Sequence, residues 1–117
     1  MSITRLRTGP RMSQAVVHGA TIYLAGQVAD RAKGKSVGEQ TREILVTIDR
    51  LLGEAGSDKA RLLSATIYLA DIKTFAEMNA EWDAWIPAGH APARATVEAK
   101  LAAPEYTVEI ACIAARA

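Results

Sequence analysis

The chain has 117 residues, with 14 Lys plus Arg against 13 Asp plus Glu and a formal net charge of +1. That length suits one domain, residues 1–117, and buries a core without staples; 50% apolar and 23% charged residues describe a globular chain and exclude a disordered one. The near-neutral balance supplies no field for nucleic acid or an anionic membrane, and the single cysteine, Cys112, allows neither an internal disulfide nor a cysteine-based zinc site.

The first residues, Met1 to Arg11, carry Arg5, Arg7 and Arg11 but no apolar stretch, which is not the pattern of a secretory signal. No segment approaches the ~18 apolar residues of a membrane span. A reduced, cytoplasmic protein is expected. Ile3 to Leu6 can form a short strand. Val16–His18 and Thr21–Val28 are short, apolar and β-branched, and read as two strands joined at Gly19-Ala20. Asp30 to Glu39, with Arg31, Lys33 and Lys35, reads as a solvated loop.

Ser36-Val37-Gly38-Glu39 has the form of a capping box. Ile44, Leu45, Ile48, Leu51, Leu52 and Ala55 follow at spacings of three and four, which predicts an amphipathic helix stopped by Gly56. Leu62–Ala70 reads as an apolar strand. Thr74-Phe75-Ala76-Glu77 repeats the capping-box form, and Phe75, Met78, Trp82 and Trp85 make a second helical stripe that ends by Pro87. Arg94–Leu101 alternates, and Tyr106–Ala114 is a last β-rich segment. The order β-β-α-β-α-β-β predicts an α+β two-layer sandwich: a mixed β-sheet with two helices on one face. The other face of such a sheet needs a cover, and another subunit supplies one most simply.

Four polar residues interrupt these patterns. Asn79 falls inside the second apolar stripe; a buried amide left unpaired costs roughly 1–3 kcal/mol, so it either ties down a backbone loop or meets a ligand. Glu109, between Val108 and Ile110, is either at a solvated edge or in a pocket. Arg94 opens a strand after Ala91-Pro92-Ala93; its planar fork fits a carboxylate, or makes a surface salt bridge. Gln27 follows Gly26, where a missing side chain marks a bulge or a close approach. With the last two strands paired as a hairpin about Ala102-Ala103, Thr96 lies opposite Glu109 with Arg94 diagonal to it, all on one face; a one-residue shift would part them. His18 and His90 lack the spacing of a zinc protease motif, and nothing asks for a metal.

The blocks Gly19-Ala20-Thr21-Ile22-Tyr23-Leu24-Ala25-Gly26-Gln27, Met78-Asn79-Ala80-Glu81-Trp82, Pro92-Ala93-Arg94-Ala95-Thr96-Val97-Glu98 and Val108-Glu109-Ile110 occur in this order across nearly the whole chain. As an ordered set they resemble the RidA (YjgF) family. The resemblance implies a chorismate-mutase-like fold, a homotrimer with three clefts between subunits, and a cofactor-free deaminase that hydrolyses small 2-imino acids to 2-keto acids and ammonia. It implies that Arg94 binds the substrate carboxylate, that Glu109 positions the attacking water, and that Asn79 and Gly26 line the cleft. Three cleft positions depart from the archetype: Met12 replaces a tyrosine, Ala25 a serine and Thr96 a cysteine. They point to a different subgroup, and leave open a carboxylate-binding module without catalysis. RNA cleavage, known among relatives, suits neither the charge nor the few aromatic residues.

Overall fold

β-branched, alternating segments form six strands: β1 (Ile3–Thr8), β2 (Ser13–His18), β3 (Thr21–Leu24), β4 (Leu62–Leu69), β5 (Ala93–Glu98) and β6 (Val108–Ala115). The two periodic stripes form α1 (Val37–Glu54) and α2 (Phe75–Trp85). The structure, a computed structural model, describes residues 1–117. The strands make one mixed sheet in the order β1-β2-β3-β6-β4-β5. All neighbours are antiparallel except β4 and β5, which run parallel. A parallel pair needs a long crossover, and α2 supplies it. This is the expected α+β arrangement, with β1 and β2 longer than predicted.

The helices pack on one face. Ile44, Ile48, Leu51 and Leu52 of α1 and Met78 and Trp82 of α2 join Ile22, Ile67, Leu69, Val108 and Ile110 in a single buried cluster. α1 starts where expected: Ser36 Oγ accepts from the Glu39 amide at 3.2 Å. It stops where expected, with Gly56 at φ +85°, a left-handed conformation that favours glycine. Three polar links tie α2 to α1. Glu77 accepts from the Gly38 amide at 2.9 Å, Arg42 meets Glu81 through two 3.0 Å hydrogen bonds, and Trp85 donates to Asp49 at 3.0 Å.

Two expectations need correction. Thr74 does not cap α2 with its side chain; its hydroxyl donates to the Asp71 carbonyl, and the glutamate of that supposed capping box, Glu77, serves the start of α1 instead. More consequentially, β5 and β6 are not a hairpin, because β4 lies between them. Ala65 pairs with Arg94 and Ile67 with Thr96, whereas Tyr68 pairs with Glu109. Paired residues share a face, so Arg94 and Thr96 lie on the helix side with Ile67, and Glu109 lies on the uncovered side with Tyr68.

Gln40, fully buried on α1, joins three segments. Its amide group donates to the carbonyls of Lys35 and Glu105 at 3.1 and 2.9 Å and accepts from the Thr107 amide at 2.9 Å. The Tyr106 hydroxyl donates to Asp30 at 2.5 Å nearby, a bond that raises the phenol's pKa. The loop before α1 is thereby pinned to the approach to β6. The sheet's far side presents Val16, Tyr23, Thr66, Tyr68, Val97, Ala111 and Ile113, with Tyr23 and Val97 exposed. No helix is long and apolar enough to cross a membrane.

Candidate functional site

The predicted site residues fall into two groups on opposite sides of the sheet. The first is on the helix side at edge strand β5. Pro92 precedes the strand and disfavours helix for the residue before it. Arg94 then lies over α2, with its guanidinium carbon 5.3 Å from the centre of the Trp82 ring and 5.7 Å from that of Phe75. It makes no ion pair and no side-chain hydrogen bond; the chain's ion pairs are Arg7–Glu54, Arg42–Glu81 and Arg61–Asp58. Thr96, two residues on, faces the same side. Asn79 sits on α2 between Phe75 and Trp82. The Thr96 hydroxyl oxygen and the Asn79 side-chain oxygen are both buried without a hydrogen-bond partner. Asn79 therefore ties down no loop; Gln40 holds that role.

The second group is on the uncovered side. Glu109 is half-buried and packs against Gly26. A methyl group built on Gly26 would overlap the Glu109 carboxylate, whose Cδ lies only 3.0 Å from that position. This is the close approach that the glycine signalled, made by a side chain of the same chain. Ala25 donates its amide to the Gln14 carbonyl at 2.9 Å, and Gln27 donates to Gln14 Oε1 at 2.8 Å and to the Ala25 carbonyl at 3.0 Å. The Gln27 and Ile110 backbones exchange two hydrogen bonds, of 2.8 and 3.1 Å, so Gly26 is carried alongside β6 after β3 has ended. Met12 stands apart, in the β1–β2 turn at the end of the sheet, and is half exposed.

Sequence reasoning missed three neighbours of this site. The helical stripe predicts a core position for Phe75, yet it is 40% exposed beside Arg94. Trp82 is buried as expected, but it also faces the guanidinium. Tyr68 lies opposite Glu109 only because β6 enters the sheet next to β4. The first two could have been found from their i, i+7 spacing around Asn79; the third has no local signal. A crevice of about 370 Å³ opens beside α1, lined by Gln14 and Gln27 together with Arg7, Asp30, Glu43 and Arg50 among others, and neither Arg94 nor Glu109 reaches it. No group of three His, Cys, Asp or Glu residues is placed to hold a metal ion.

Residues 3–116 match the model of the family described as Endoribonuclease L-PSP. The chain is 45% identical over 114 residues to a RutC family protein of Haemophilus influenzae, covering 97% of this chain and 98% of that one. It is 46% identical over 115 residues to the RutC family protein YoaB of Escherichia coli, covering 98% and 99%. It superposes with a TM-score of 0.97 on the crystal structure of a YjgF family member from Neisseria meningitidis, at 49% identity over 100% of this chain and 97% of that one. By sequence over nearly its whole length and by fold, the chain belongs to the RidA/YjgF/L-PSP family, whose members include the RutC family proteins.

Proposed function

We propose that the protein is a cytoplasmic, cofactor-free hydrolase of small 2-imino acids, of the 2-aminoacrylate and 2-iminopropionate type, and that it works as a homotrimer with clefts between subunits. The observation that carries this reading is the Arg94 guanidinium: part-buried, ordered against two rings, and without an anionic partner in its own chain. Its fork is free to take a carboxylate in two parallel hydrogen bonds. Arg94, Asn79 and Thr96 form one wall of each cleft. Glu109, Gly26, Ala25 and Met12 of a second copy form the other, since one chain holds the two groups on opposite faces. The exposed Tyr23 and Val97 favour a second copy against the bare face.

In this mechanism Arg94 anchors the carboxylate and Glu109 orients a water. The water oxygen bonds to C2 of the imine while Glu109 takes one of its protons. The C=N π electrons move to nitrogen, which gains a proton, giving a carbinolamine. The carbinolamine nitrogen then takes a second proton, the one released by the C2 hydroxyl, as the C–N bond breaks with its electrons on nitrogen; ammonia leaves and the C2 oxygen becomes the keto group. Imines already hydrolyse in water, so positioning and proton transfer supply the acceleration.

The test is ammonia release from freshly generated 2-iminopropionate. Wild type should exceed the uncatalysed rate and Arg94→Ala should not; equal rates for both would end the proposal. Met12 and Ala25, apolar where the archetype is polar, favour one rival, a carboxylate-binding module. A 2-keto acid complex with no turnover of any imine would establish that instead. The RNA cleavage named in the family description is not favoured by a net charge of +1.

A further inference from the structure

Arg94 is held by ring faces rather than by charge. Phe75 and Trp82 are seven residues apart on α2, which places them on one face about 10.5 Å apart along the axis. The guanidinium carbon, 5.7 Å from one ring centre and 5.3 Å from the other, lies over both rings of that face. Trp82 is the fixed side: it is 4% exposed and tilts against Trp85, with ring centres 5.5 Å apart, and Trp85 is itself hydrogen-bonded to Asp49. Phe75 is the open side, 40% exposed.

The chemistry of such a cradle differs from that of a salt bridge. A carboxylate partner would occupy the N–H donors that a ligand needs. The negative face of an aromatic ring attracts the cation and leaves those donors unused. It also restricts a long side chain that otherwise samples many rotamers, which reduces the ordering cost when a ligand binds.

We propose that Phe75 and Trp82 are positioning residues that preset the Arg94 fork for a planar carboxylate. The proposal rests on the reading of Arg94 as the carboxylate anchor. Phe75 is the informative position, because its exposure lets the ring be changed without opening the core.

The experiment measures the affinity of the full-length protein for 2-oxobutanoate by calorimetry, and KM and kcat with 2-iminopropionate. Phe75→Leu should weaken 2-oxobutanoate binding about fivefold, within the range of a partly desolvated cation–π contact. KM should rise by a similar factor, kcat should change far less, and the thermal midpoint should stay put. Phe75→Tyr, which keeps the ring face, should restore affinity. In an Arg94→Ala background, Phe75→Leu should have no further effect on binding. Unchanged affinity in Phe75→Leu, alongside lost affinity in Arg94→Ala, would overturn the cradle and leave the anchor standing. A loss in Phe75→Leu that persists in the Arg94→Ala background would also overturn it, because the ring would then act on the ligand directly. Full affinity in Arg94→Ala would remove the anchor and the cradle together.

Discussion

Arg94 and Glu109 lie on opposite faces of one sheet, separated by β4. Arg94 pairs in register with Ala65 on the helix side, and Glu109 with Tyr68 on the bare side. Two side chains that point away from each other through a sheet cannot grip one small molecule. A site using both needs two copies of the chain.

This gives a complementation prediction. Arg94→Ala and Glu109→Gln should each be inactive in imine hydrolysis. Co-assembled in equal amounts, they should recover about one quarter of wild-type activity, because a heterologous interface in a ring can take its intact arginine from one chain and its intact glutamate from the next. Ammonia release from mixtures refolded together measures this. No recovery in mixed assemblies shown to contain both chains would place the site within a single chain.

Gly26→Ala should act through Glu109. The added methyl group collides with that carboxylate, so Glu109 must move. Displacing a catalytic group by about 1 Å costs on the order of a hundredfold in rate. We expect kcat to fall by about that much while 2-oxobutanoate affinity, set by Arg94, changes little. An unchanged kcat would show that Glu109 is not where the reaction needs it.

Gln40→Leu tests the buried amide. The substitution removes three hydrogen bonds and leaves the Thr107 amide and the Lys35 and Glu105 carbonyls without that partner. Urea unfolding should show a loss of about 2–4 kcal/mol, the range expected when several buried groups lose their partners. A loss below about 0.5 kcal/mol would mean that water replaces the amide without cost.

Cys112 should make the fold sensitive to alkali. Burial pushes its thiol from 9.0 up to about 12, because the thiolate is disfavoured in the core. Between those values the unfolded chain has lost a proton that the folded chain keeps, so the stability is full below pH 9.0 and falls as pH rises towards 12. The thiol's contribution to the slope is about 1.4 kcal/mol per pH unit. Cys112→Ala should flatten the alkaline decline of the unfolding free energy measured in urea by that increment, and the native thiol should resist iodoacetamide at pH 8. Rapid alkylation of the folded protein would contradict this burial.

Much of this protein is local and can be read from the chain. The periodicity of Ile44 to Leu52, the Ser36 cap and the Gly56 stop define α1 with no knowledge of the rest, because helix contacts and caps span only a few residues. The apolar, β-rich runs of Leu62–Ala70 and Tyr106–Ala114 likewise reveal strands, and the Gly26-Gln27 pair announces a close approach. What no local pattern carries is which strand lies beside which. β6 enters between β3 and β4 because the crossover through α1 leaves that gap, and its insertion turns a supposed hairpin into an edge strand, β5, and a central strand, β6, with β4 between them. That pairing decides that Arg94 faces α2 while Glu109 faces away, that Tyr68 meets Glu109, and that Gln40 reaches across the fold to Thr107. Residue types and spacing select the chemistry available to the chain; only the long-range pairing of strands, settled when the whole sheet assembles, decides which of those groups share a surface.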